Sequence, residues 1–381
     1  MVRLYNISAT EPASVVHFDW MTVVFPVPYT DVLRHGLTVR EYIDNVLRKL
    51  GLDELLFEDM EHGIYMYDKA AAAGTDSIIL GWYTGAGGVL DKEHDNFMLQ
   101  MSGAGVETLE NLLTQSSRVV SDFVSQCLDL GATFSRVDPC CNFFNYPREF
   151  SARYVGEEAE KGNLVTRASF VRTVRKFSSR GGKDTLDAYQ GASEGFTTYI
   201  GKNPKQLRVY NKLAERSDKV NLSYKLKSWS RWEYQLNGKY AQAFIDEYVK
   251  RNYDLVQTWV DWLASNYRWI ERVGHQAERS RYPNAVWYDE LIKTAKDKIV
   301  VRSERQKPTF EKSAKWIDRQ VMPTMATIYY ARVKKYMQNG VTEKDARKLA
   351  LDKVKADIED QAVNQNLDWK RIEAYALENF M

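Results

Sequence analysis

The chain reads as an α+β protein: duplicated antiparallel sheet modules with helices on one face, followed by a helical C-terminal region. Two observations predict this. Runs of β-branched and aromatic residues with period-two alternation are interspersed with stretches at helical spacing. The order strand, helix, several strands, then strand, glycine turn and helix occurs twice, which is the pattern of an internal repeat.

Taken in order, VVHFDWMTVVF (15–25) is a strand ended by Pro26, and VREYIDNVLRKL is a helix capped by Thr38 and closed by Gly51. IYMYDKA and SIILGWYTG read as strands around Gly74, with a loop over Gly85 to Gly88. NFMLQMS turns at Gly103 to Gly105 into the helix VETLENLL, and a second helix over 117–130 closes the first half, 1–131. The second half, 132–251, opens with the strand TFSRVDPCCNFF and the helix EFSARYVGEEAEKG. The strands SFVRTVRKF, GFTTYIG, KQLRVYN and SRWEYQL follow, and the last turns at Asn237-Gly238 into the helix KYAQAFIDEYVK. Residues 252–381 read as a helical region rich in tryptophan, with Trp259, Trp262, Trp269, Trp287 and Trp316; such a stripe fits a core or a base-stacking platform. Thr342 to Asp345 forms a capping box, and Asn366 is placed to cap a last helix.

At 381 residues and 44% hydrophobic content the chain can bury one large core or two moderate ones. It has neither a bilayer-length apolar run nor the order of a signal peptide, so a soluble cytoplasmic protein without membrane contact is expected. The three cysteines, Cys127, Cys140 and Cys141, have no disulfide-framework or CxxC spacing, which fits a reducing compartment. The formal charge of +2 hides an asymmetry: 1–162 carries −12, 163–251 carries +10 and the remainder +4. The middle segment is therefore either a polyanion-binding surface or a solvated basic face.

Alternation of side chains along a strand sorts the second half into one apolar and one reactive face per strand. Arg136, Asp138 and Asn142 share a face, as do Thr197 and Tyr199, Arg208, Tyr210 and Lys212, and Arg231, Glu233 and Gln235. In one sheet these faces converge on an open surface. Asp138 and Glu233 can hold one Mg²⁺ or Mn²⁺, and Tyr210, between Arg208 and Lys212, suits a nucleophile toward a phosphodiester. A phenol's ordinary pKa of about 10 must fall or meet a base, and Arg208, Lys212 and the metal are the available causes. The five histidines show no HxH or HExxH spacing, so a histidine-based metal site is not expected. GTDSIILGWYTGAGG lacks the Lys-Ser/Thr of a phosphate loop.

The succession FDWMTVVF, QMSGAG, SRVD, TTYIGKNPKQLRVYNKLAE and SRWEYQLNGK, over roughly residues 15–250, resembles the replication initiation factor (Rep_trans) family. That family includes rolling-circle initiators of plasmids and filamentous phages and some conjugative relaxases. The resemblance implies sequence-specific nicking of origin DNA and strand transfer through a 5′-phosphotyrosine at Tyr210. It also implies Asp138 and Glu233 as metal ligands, with Arg208, Lys212 and Arg231 at the phosphate. Arg136 and Tyr199 join Arg231 as DNA contacts. Asn142 stands where many members carry a second acid, and Phe196 where many carry glutamate, so Asp19 on the first strand is a further ligand candidate. A host helicase and a homodimer are expected partners, in the host cytoplasm for a phage-encoded protein. The alternatives are a non-catalytic DNA-binding protein on the same fold, a conjugative-element relaxase, and a structural α+β protein that binds no nucleic acid.

Overall fold

Twelve strands are present among the residues that the structure, a computed structural model, describes: 11–28, 32, 36–84, 95–176, 195–217, 226–296 and 322–364. The loop expected over Gly85 to Gly88, Trp316 and the cap at Asn366 lie outside them. The strands are β1 (Ala13–Pro26), β2 (Glu58–Asp59), β3 (Lys69–Ala73), β4 (Ile78–Trp82), β5 (Asn96–Met101), β6 (Thr133–Phe144), β7 (Leu164–Thr166), β8 (Val171–Lys176), β9 (Gly195–Lys202), β10 (Lys205–Asn211), β11 (Trp229–Asn237) and β12 (Tyr267–Trp269).

Ten of them form one antiparallel sheet in the order β2-β3-β4-β5-β1-β6-β11-β10-β9-β8. The order is a mirror about the β1–β6 pair. In each half the innermost strand is followed by a helix, Val39–Leu50 or Ala152–Glu160, and so is its neighbour, by Gly103–Gln115 or Lys239–Lys250. The repeated sequence plan therefore produces a repeated half-sheet, and the two halves join edge to edge. Burying both inner edges removes two rows of unpaired backbone groups.

One face of this sheet is apolar and carries the helices. Phe18, Met21, Val23, Val137, Phe143, Leu207, Val209, Trp232 and Leu236 are all buried there, against Val155, Ala241, Phe244, Ile245 and Tyr248 of the helices. The helix Val39–Leu50 starts with the expected capping box, Thr38 and Glu41, and ends on Gly51 in the left-handed region. The aromatic stripe is core: Trp259, Trp262, Tyr267 and Trp269 are each at most 2% exposed, which removes the base-stacking alternative for them. They pack against β11 through ring pairs such as Tyr234–Trp259 at 5.4 Å and Trp232–Trp269 at 5.4 Å.

IYMYDKA departs from its expected strand. Only Lys69 onward is extended, and Tyr65 takes a φ of 55° in the preceding turn. Gly81 explains it. The Tyr67 ring lies where a Cβ on Gly81 would sit, so the turn folds over the first half-sheet instead of extending it.

The chain divides into two units, Met1–Val301 and Arg302–Met381. In the second, the helices Met322–Gln338 and Glu343–Asn364 pair around Val333, Ala346 and Ala350. Thr342 caps the second of them, half of the predicted capping box: its Oγ1 accepts from the Asp345 amide and donates to the Asp345 carboxylate at 2.7 Å.

Candidate active site

The face opposite the helices brings the reactive residues of six strands into rows. Register pairs His17 with Cys140, Cys140 with Glu233, Glu233 with Arg208, Arg208 with Tyr199 and Tyr199 with Arg172. The next row runs from Asn142 through Arg231 and Tyr210 to Thr197. Every expected site residue falls on this face. The central ones are enclosed, not open: Asp138, Glu233, Arg231, Lys212 and Tyr210 are between 1% and 6% exposed.

Tyr210 is the centre of the second row. Its hydroxyl donates to Glu233 Oε2 at 3.0 Å, and Arg208 donates to Oε1 of the same carboxylate at 2.6 Å. The Arg208 guanidinium lies 4.7 Å and the Lys212 ammonium 5.3 Å from the Tyr210 ring centre. The expected depression of the phenol is reversed. Burial and the facing Glu233 carboxylate push the Tyr210 pKa well above its ordinary value, outweighing Arg231 and Arg208. A hydroxyl so held loses its proton only to a positioned acceptor, and Glu233 is in contact with it. Burial and the neighbouring Arg231 lower the Lys212 pKa, against the opposing pull of Glu215, which the ammonium contacts at 2.9 Å.

Asp138 and Glu233 are each engaged by an arginine. Both carboxylate oxygens of Asp138 accept from Arg136, at 3.0 and 2.6 Å. Burial, with Glu233 nearby, still raises Asp138 to about 7 against the Arg136 fork.

A cluster of potential metal donors lies beside them, and sequence reasoning did not anticipate two of its members. His17, Asp19 and Cys140 offer donor atoms all within 4.8 Å of one another. His17 Nδ1 lies 2.9 Å from the Phe18 carbonyl, which only a protonated Nδ1 can use, so Nε2 carries the lone pair. Nε2 faces Cys140 Sγ at 3.2 Å and the Asn142 amide at 2.8 Å. Asn142 is a hub: its Oδ1 accepts from Arg231 Nε at 2.8 Å and Trp229 Nε1 at 2.9 Å. Burial opposes charge on Asp19, yet Arg231, at 2.5 Å, holds its carboxyl below the usual range with help from Lys212. Burial keeps the Cys140 thiol neutral, its pKa raised although Arg231 pulls it down. The signal for His17 is its period-two spacing from Asp19, and for Cys140 its place between Asp138 and Asn142. A search for HxH and HExxH passes over both.

A bulge in β1 shapes this corner. Phe18 pairs with Pro139 and Met21 with Val137, so Asp19 and Trp20 together oppose Asp138. One extra residue lets both point away from the helices.

The sequence model of a family described as replication initiation factor matches residues 132–341, more than half of the chain. That span contains β6 and β9 to β11, whereas His17 and Asp19 precede it. A protein of Bacillus subtilis (strain 168) named "Putative DNA relaxase NicK" is 26% identical over 275 residues, 70% of this chain and 74% of that protein. Among solved structures, a rolling circle replication initiator protein from Geobacillus stearothermophilus aligns with a TM-score of 0.57 at 18% identity. It covers 76% of this chain and 100% of that one, a likeness of fold.

Proposed function

Because the chain belongs to the replication initiation factor family, we propose that it nicks one strand of origin DNA to start rolling-circle replication, remaining joined to the 5′ phosphate through Tyr210. One observation carries this reading: the buried Tyr210 hydroxyl donates to Glu233 at 3.0 Å, beside Arg208, Lys212 and Arg231, cations able to receive a phosphate. The Tyr210 oxygen forms a bond to phosphorus as the bond to the 3′ oxygen breaks, and its proton passes to Glu233. The departing 3′ oxygen takes a proton from Lys212, whose lowered pKa suits the transfer. Arg208 and Arg231 balance the charge that develops on the phosphoryl oxygens. Phosphodiester energy is kept in the phosphotyrosine, so the reverse steps rejoin the strand.

The donor set beside Tyr210 fits a divalent cation. Asp19 supplies an anionic oxygen and His17 a lone pair fixed by its own backbone contact, while Cys140, kept as a neutral thiol, lines the corner without ligating and Glu233 stands opposite it in register. We assign Mg²⁺ or Mn²⁺ to this corner; the carboxylates expected from the sequence, Asp138 and Glu233, lie beside it but are engaged by Arg136 and by Arg208 and Tyr210, and would act on the ion from outside its first ligands. An ion held there would supply polarisation of the phosphodiester and stabilisation of its transition-state charge. Strand separation is left to a host helicase.

The test is covalent adduct formation on labelled single-stranded DNA from the protein's own replicon, with Mn²⁺, on a denaturing gel. A labelled band at protein mass, lost in Tyr210→Phe and on chelation, is expected. A band that survives Tyr210→Phe overturns the assignment of the nucleophile, and tight binding without an adduct favours the non-catalytic alternative. Conjugative relaxase is the second reading, favoured by the name of the Bacillus subtilis relative. It uses the same chemistry, and mapping the nick to a transfer origin instead of a replication origin decides between them.

A further inference from the structure

Two aromatic-arginine stacks stand on the active-site face, one on either side of Tyr210. On the β8 side, the Arg172 guanidinium lies 5.0 Å from the Tyr199 ring centre. On the β1 side, the Arg136 guanidinium lies 4.1 Å from the Trp20 ring centre. We infer that Trp20, backed by Arg136, is a base-stacking platform for the single strand at the nicking site, across the catalytic rows from Tyr199. The inference rests on the DNA-nicking reading of this face.

Four features of Trp20 support it. The β1 bulge places it on the catalytic face beside Asp19, where regular alternation would send it into the core. It stays half-buried, whereas the core tryptophans Trp259, Trp262 and Trp269 are sealed. Its indole nitrogen donates to Thr22 Oγ1 at 2.9 Å, which fixes the ring plane. Arg136 is itself locked by its fork onto Asp138, so the stack is rigid before DNA arrives. A fixed aromatic ring with an arginine against it is what sequence-tolerant binding of unpaired bases requires. Trp20 and Tyr199 are on strands four places apart, roughly 19 Å at a strand spacing of about 4.8 Å. They therefore address bases on opposite sides of the scissile phosphate.

The experiment compares binding of a thymidine-only oligonucleotide with binding of an abasic oligomer of equal length and charge. The proteins are the wild type, Trp20→Ala, Trp20→Leu and Trp20→Phe, each checked by circular dichroism. Trp20→Ala and Trp20→Leu are expected to lose about 5- to 150-fold in affinity for the thymidine strand, with affinity for the abasic strand unchanged. Trp20→Phe keeps a ring and most of the binding. Affinity for the thymidine strand within twofold of wild type in Trp20→Leu, or an equal loss on the abasic strand, overturns the inference, as does a wild type that does not distinguish the two oligomers. Adduct formation is scored separately. A base-dependent effect at Trp20 without any adduct would reject the nicking reading while leaving the platform in place.

Discussion

Replacing Glu233 with glutamine tests the centre of the mechanism. Glutamine fills the same space and can still accept the Tyr210 hydrogen bond, but it cannot take the proton. Two effects then oppose each other. Loss of a positioned base costs about 10²–10⁴ in rate. Loss of the negative charge makes the phenolate easier to form, since unit charges 3.0 Å apart repel by about 5 kcal/mol at an effective dielectric constant near 20. At neutral pH the missing acceptor dominates, because free hydroxide is scarce. Single-turnover adduct formation by Glu233→Gln should therefore be about 10²–10⁴ slower than wild type at pH 7. It should climb close to tenfold per pH unit as hydroxide takes over the proton, and approach wild type at high pH.

The variant also leaves Arg208 without its carboxylate. The Arg208 side chain is 35% exposed, but its Nε is buried without a hydrogen-bond partner, so a stability loss of about 1–3 kcal/mol is expected, which denaturant melts will separate from the chemical effect. A Glu233→Gln rate within threefold of wild type, with the same pH profile, would refute Glu233 as the proton acceptor. A shifted Mn²⁺ midpoint together with a normal profile at saturating metal would return Glu233 to a purely metal-binding role.

Four further outcomes are expected. Asp19→Ala or His17→Ala should weaken Mn²⁺ binding by about tenfold or more in calorimetry, and Asp138→Asn, whose carboxylate is held by Arg136, by less than threefold. Asp138 has a folded pKa raised to about 7, so the native state binds the extra proton, and its stabilising contribution is complete below about pH 4 and lost as pH rises through about 7; Asp138→Asn should flatten that part of the curve in denaturant melts. Arg172→Gln should reduce the slope of log affinity against log salt by about one in binding titrations, since Arg172 is exposed over Tyr199 in the basic segment. Trp259→Ala should cost about 3–5 kcal/mol in unfolding experiments, and DNA affinity, measured where the variant is still folded, should not change.

The parts of this protein legible in the sequence are those set by local rules. KQLRVYN and TFSRVDPCCNFF become strands with the expected bounds, because alternation along a strand is a property of the chain itself. The same rule puts Arg208, Tyr210, Glu233 and Asp138 on one face with no knowledge of how the strands pair. What alternation cannot supply is anything that depends on interruptions of register or on the depth of a face. The bulge at Asp19 and Trp20 breaks period two on β1, and it is what sets Trp20 beside the site instead of in the core. Enclosure inverts the electrostatics of Tyr210. Two flanking cations suggest an acidic phenol on an open surface, yet at 6% exposure burial and one carboxylate outweigh them. The consequence is mechanistic. On the proposed mechanism, a phenol kept protonated by its surroundings would not react with water-borne phosphates at random, and would become a nucleophile only when Glu233 can take its proton and a bound strand supplies the phosphorus.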